Sequence, residues 1–135
     1  MIVGVGLDLL DVARMERELR AGNGLADQLF TPREIEYCQS KRHPARHFAA
    51  RFAAKEALFK ALAIDAREGL RWREVEVVSG PSGDPSIRLH GKTNELAAQR
   101  GVDAIHLTLT HTRELAAANV VLQGRPADGS RLRDE

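Results

Sequence analysis

Apolar and small or polar positions alternate at the start of the chain. Val3, Val5, Leu7 and Leu9 fall on one side, Gly4, Gly6 and Asp8 on the other. A period of two predicts a strand over residues 2–10. At Asp11 the period lengthens. Val12, Met15 and Leu19 recur at helical spacing, Asp11 is placed to cap that helix, and Gly22-Asn23-Gly24 ends it. Thr31-Pro32-Arg33-Glu34 has the form of a capping box with proline at the first helical position, so a helix is predicted from about 32 to 41, interrupted by Pro44. The strongest helical signal covers about 46 to 63. It places Phe48, Phe52, Phe59 and Leu62 on one face among alanines that favour helix intrinsically.

Beyond Gly69, a strand is predicted over 72–79, a turn over 80–85, and a returning strand carrying Ile87 and Leu89. A short helix over 92–100 ends at Gly101, and Ile105, Leu107 and Leu109 alternate up to His111. Leu115 to Leu122 fits two readings: three alanines suggest helix, and Val120-Val121-Leu122 suggests strand, which a turn at 112–114 would make a hairpin arm. Residues 124–135 are polar and predict a disordered tail behind a single domain over 1–123. The succession predicts an α+β fold with a largely antiparallel sheet and a long central helix.

The 135 residues suffice for one domain with its own core. Twenty basic against nineteen acidic residues leave a net charge of +1, which argues against a dedicated nucleic-acid binder. Cys38 is the only cysteine and cannot form an intramolecular disulfide. No apolar run reaches the length of a membrane span, and the first residues lack the cationic start of a signal peptide, so a cytoplasmic location is expected.

Four features could carry chemistry. Asp8 interrupts an apolar strand, where an unpartnered carboxylate is costly to bury; otherwise it lies at a strand end and caps a turn. Glu56 lies about 40° around the long helix from Phe52, at the border of the apolar face, with Lys60 one turn later. They form either a surface i,i+4 pair or a hard-cation site with a phosphate-binding lysine beside it. Residues 41–60 hold six basic side chains, Lys41, Arg42, Arg46, Arg51, Lys55 and Lys60, around the one acid Glu56. Such a stretch is either a solvated helix face or a cradle for a polyanion. His111 closes an apolar strand beside a tight turn, where it serves structure, phosphate binding or acid–base chemistry.

Three motifs in order resemble the bacterial holo-[acyl-carrier-protein] synthases, the small 4′-phosphopantetheinyl transferases. They are Gly6-Leu7-Asp8 with Arg14 following; Arg51-Phe52-Ala53-Ala54-Lys55-Glu56-Ala57-Leu58 continuing through Lys60-Ala61-Leu62; and Leu109-Thr110-His111-Thr112. The resemblance implies transfer of the phosphopantetheine arm of coenzyme A to a serine of apo acyl-carrier protein, releasing adenosine 3′,5′-bisphosphate. It implies Mg²⁺ held by Asp8 and Glu56, a phosphate contact from Lys60, and catalysis by Glu56, Lys60 and His111. It further implies a homotrimer with active sites between subunits. Glu56 is the first candidate for the base and Glu34 a weaker one. Arg46, Arg51, Lys55, Gly83, Pro85 and His111 are candidates for coenzyme A, and Arg14, Arg17 and Arg20 for docking the acidic carrier. The chain departs from the family at 63–69, where many relatives carry a Gly-Thr-Gly-type loop, and at Thr112, where some carry an acid. A Mg²⁺-dependent phosphohydrolase acting on coenzyme A-like diphosphates and a non-catalytic binding module are the rival readings.

Overall fold

The computed structural model describes residues 1–65 and 69–125. The chain runs β1 (Ile2–Asp11), α1 (Val12–Arg20), α2 (Leu25–Leu29), α3 (Pro32–Gln39) and α4 (Pro44–Ala61). A short 3-10 turn, Trp72–Glu74, leads into β2 (Val75–Ser79), β3 (Pro85–Leu89), α5 (Gly91–Gln99), β4 (Val102–His111) and β5 (Leu115–Gly124). The predicted polar tail lies, from residue 126 on, outside the described residues.

The elements follow local chemistry. Asp11 caps α1 by accepting from the Ala13 amide, and Thr31 and Glu34 form the reciprocal capping box of α3. Pro44 begins α4 at its first turn instead of only interrupting what precedes it, because a proline there gives up no intrahelical hydrogen bond. Trp72–Glu74 turns before the strand starts at Val75, so the strand expected from residue 72 is shorter. The ambiguous segment after Leu115 is a strand, since its pairing to both neighbours outweighs the helix preference of three alanines.

Two antiparallel sheets result. One has the order β1-β5-β4, and the other is the β2–β3 hairpin. In the first, Asp8 stands opposite Ala118, which stands opposite Leu109. Helix α4 lies across the inner face of this sheet. Ala53, Ala54, Ala57, Leu58 and Phe59 pack there with Ala118, Val120 and Leu122. A second cluster, with Phe30, Cys38, Phe48 and Ala49 at its centre, joins α1, α3 and the start of α4.

Small residues set the spacing between strand and helix. A Cβ on Gly4 would collide with the Ala61 carbonyl, and one on Gly6 with the Ala57 carbonyl. The glycine side of β1 is therefore its packed side. The apolar side faces outward: Val5, Leu7 and Leu9 are 61%, 66% and 63% exposed.

Candidate active site

Because side chains alternate along a strand, Asp8 shares the inner side of β1 with Gly4 and Gly6. The close approach those glycines permit sets Asp8 against α4, where Glu56 and Lys60 lie one turn apart. Lys60 Nζ donates to Asp8 Oδ1 at 3.0 Å and to the Leu7 carbonyl at 3.1 Å. Asp8 Oδ2 is buried without a hydrogen-bond partner. Leaving an oxygen so placed costs about 1–3 kcal/mol. Glu56 is half-buried beside it. Burial, then the closeness of the Asp8 carboxylate, push the Glu56 carboxyl up to about 7, against the pull of Lys60 and Arg14.

Two carboxyls raised in cost by each other, with one oxygen unsatisfied, form a site short of positive charge. This donor set fits a hard divalent cation, which takes one or two protein carboxylates and completes its shell with water and phosphate oxygens. Asp8 and Glu56 are the residues that would hold it.

A cavity of about 190 Å³ opens beside Glu56. Arg14, Met15, Leu29, Phe52 and Glu56 are among its walls, so the first helix and Glu56 share one depression. Arg14, Arg17 and Arg20 are exposed on α1. Arg14 is paired with Glu18 at 3.4 Å and Arg20 with Glu16 at 3.2 Å.

His111 ends the inner face of β4 and meets the other end of α4. Its ring lies 5.1 Å from that of His47, edge to face. His47 and Glu56 are nine residues apart in one helix, which is about 13 Å along its axis. Arg46 is partly exposed in the same turn as His47. Gly83, with φ of +83°, and Pro85 lie at the tip of the β2–β3 hairpin, where Gly80 and Asp84 close the turn. His111 and Arg46 thus stand apart from the carboxylate pair within one chain.

Three candidates are buried away from ligand contact. Lys55 is fully buried, and its ammonium donates to Glu34 Oε1 at 2.8 Å and to the carbonyls of Trp72 and Val75. All three protons are engaged, so none is left for coenzyme A. Glu34 is also fully buried, bonded to Lys55, to the Val77 amide at 2.7 Å and, through the capping box, to the Thr31 amide at 2.9 Å. It cannot reach a carrier serine. Arg51 is 3% exposed, with Nη2 on Ser79 Oγ at 3.0 Å and its guanidinium 4.0 Å from the centre of the Tyr37 ring. Its Nε is buried without a hydrogen-bond partner. The network around Lys55 and the His47 contact escaped the sequence reading, because charge pairing across 21 residues leaves no local pattern.

The family model of the 4′-phosphopantetheinyl transferase superfamily matches residues 4–120. The holo-[acyl-carrier-protein] synthase of Geobacter sp. (strain M21) is 47% identical over 124 residues, covering 91% of this chain and 99% of that protein. Among solved structures, the acyl carrier protein synthase of Mycobacterium tuberculosis is 38% identical with a TM-score of 0.73, covering 93% of this chain and 100% of that one. A coenzyme A complex of the synthase described as from Chronobacterium ammoniagenes is 25% identical with a TM-score of 0.81, covering 90% and 97%. The chain belongs to the 4′-phosphopantetheinyl transferase superfamily.

Proposed function

We infer that this chain transfers the 4′-phosphopantetheine group of coenzyme A to a serine of apo acyl-carrier protein, leaving adenosine 3′,5′-bisphosphate. The observation that carries this is the Asp8–Glu56–Lys60 constellation, with its orphaned oxygen, in a chain so similar to holo-[acyl-carrier-protein] synthases.

The serine oxygen attacks the β-phosphorus of coenzyme A, and the bond from that phosphorus to the bridging oxygen breaks. Glu56, poised near neutrality, takes the serine proton, the pKa that suits a general base at physiological pH. Lys60, whose side chain is 58% exposed, keeps its ammonium at the mouth of the site and stabilises charge on the departing phosphate. A divalent cation, Mg²⁺ in this reading, would neutralise the diphosphate and polarise the phosphorus under attack.

His111, Arg46 and the Gly83–Pro85 turn serve the nucleotide end of coenzyme A. In one chain they stand apart from the carboxylate pair, so we assign the two centres of a complete site to neighbouring subunits of a homotrimer. The exposed row of Val5, Leu7 and Leu9 supports this reading, since it is an apolar sheet face left open among the described residues. Arg14, Arg17 and Arg20 steer the acidic carrier toward the cavity beside Glu56. No helix among the described residues is long and apolar enough to cross a membrane, and we place the reaction in the cytoplasm.

Incubation with coenzyme A, Mg²⁺ and apo carrier protein, followed by intact-mass measurement of the carrier, tests the reading. A phosphopantetheine adduct that needs Mg²⁺ and is lost in Glu56→Gln is expected. Cleavage of the coenzyme A diphosphate without any carrier would instead identify a phosphohydrolase.

A further inference from the structure

The rings of Tyr37, His47 and His111 form a ladder across three elements. Tyr37 of α3 meets His47 of α4 at 6.0 Å, and His47 meets His111 of β4 at 5.1 Å, both edge to face. The first rung is anchored. Lys41 and Arg51 sit over the Tyr37 ring at 4.5 and 4.0 Å, and Arg51 is tied to Ser79 at the end of the β2–β3 hairpin. The last rung is free: His111 is exposed, and no hydrogen bond holds its ring among the described residues. The ring it meets is that of His47.

We propose that His47 is a positioning residue for His111, holding its imidazole at the angle from which it meets coenzyme A. This rests on the reading that His111 touches that substrate. Edge-to-face pairs favour one geometry over others, so an otherwise exposed ring gains a preferred direction. His47 acts in this as an uncharged aromatic wall. Burial first, then His111 and the cations Arg51, Lys41 and Arg46, hold it down to about 4, so the groups facing it from α3, α4 and β4 meet a neutral ring at physiological pH. The ladder also links the hairpin that carries Gly83 and Pro85 to the strand that carries His111. Two parts of the nucleotide end of the site are thereby set by one chain of contacts.

The test compares His47→Ala, His47→Leu, His47→Phe and His111→Ala in the full chain. Melting curves establish that each is folded, and His47→Leu supplies bulk without a ring should the alanine variant fail to fold. Coenzyme A is varied at saturating apo carrier, and the imidazole resonances of His111 are followed by NMR. Loss of the ring is expected to raise KM for coenzyme A by about 2- to 10-fold while kcat changes less, and to move the His111 signals. His47→Phe should return both toward the parent. A KM and a His111 spectrum unchanged in His47→Ala or His47→Leu overturn the proposal, as does a phenylalanine variant no better than leucine. If His111→Ala leaves KM unchanged, the assignment of His111 to coenzyme A is what fails, and the His111 spectrum still reports whether His47 orients it.

Discussion

Lys60 reaches Asp8 from the solvent side: Nζ lies 3.0 Å from Oδ1, with the lysine side chain 58% exposed and the aspartate side chain 13% exposed. An ion pair so hydrated at one end contributes at most about 1 kcal/mol to stability. In the proposed reaction it keeps an ammonium beside the carboxylate pair, where phosphate charge would develop. Lys60→Ala should therefore melt within a few degrees of the parent and yet lose about 100-fold in turnover. A variant that loses stability and keeps its rate would assign Lys60 to the fold alone. Thermal unfolding and carrier-modification rates, measured on one preparation, decide between them.

Glu56 makes activity and stability respond to pH in opposite senses. Its carboxyl ionises at about 7 in the fold against an ordinary value of 4.5, with burial the main cause and Asp8 the next. The ionised form is the one that would hold the cation and take the serine proton. At saturating Mg²⁺, turnover should thus fall about tenfold per pH unit once the pH is below the value Glu56 adopts in the complex. For the metal-free chain the sign reverses. A carboxyl raised on folding favours the folded state fully below about 4.5 and loses that contribution as pH rises through about 7. Glu56→Gln should accordingly be inactive but more stable than the parent above pH 7, with the difference shrinking toward pH 4.5. Denaturant unfolding at three pH values checks this. A glutamine variant destabilised at every pH would mean that the carboxylate is held by partners outweighing Asp8.

Lys55 and Glu34 belong to the scaffold that presents Glu56. Their ion pair, 2.8 Å long and fully buried, ties α3 to α4, and through the Val75 carbonyl and Val77 amide it ties both to β2. Lys55→Met strands a buried carboxylate and should cost about 3–5 kcal/mol in urea unfolding. Replacing both, Lys55→Met with Glu34→Leu, should recover only part of that, because it removes the stranded charge but still leaves the Thr31 and Val77 amides and the Trp72 and Val75 carbonyls without their partners. KM for coenzyme A in the folded double variant should stay within about twofold of the parent, since neither side chain reaches the surface. A large KM change there would put Lys55 back among the coenzyme A contacts.

Types of element were legible in the sequence because each carried a local signature. The capping box at Thr31 and Glu34 and the period-two run of β1 are decided within a few residues. Orientation was not legible in the same way. Alternation in β1 tells which side chains share a face, but not which face is packed. Only the fit of Gly4 and Gly6 against Ala61 and Ala57 shows that the small side is inward. The carboxylate pair was legible in part, since Glu56 borders the apolar face by helical geometry alone, whereas its meeting with Asp8 depends on how strand and helix cross. Lys55 misled for the opposite reason. It stands beside Glu56 in a basic stretch, and adjacent positions on a helix point about 100° apart, one into the core and one toward the site.

Val5, Leu7 and Leu9 present three large apolar side chains to solvent on an edge strand, a surface that a stable monomer avoids. If they form the contact between subunits, charge in their midst must break it. Leu7 stands opposite Asn119, which stands opposite Thr108, so it lies between the other two leading residues of the row and on the line where the sheet's outer face is most exposed. At concentrations where the proposed trimer is expected of the parent, Leu7→Glu should sediment as a monomer. The substitution leaves the inner packing of Gly6 and Asp8 untouched, so the secondary structure seen by circular dichroism should persist. Activity should fall with assembly, because the carboxylate pair would then lack the nucleotide-binding groups of the neighbour. A monomeric Leu7→Glu that retains full turnover would show that a single chain completes the site, and the division of the two centres between subunits would have to be abandoned.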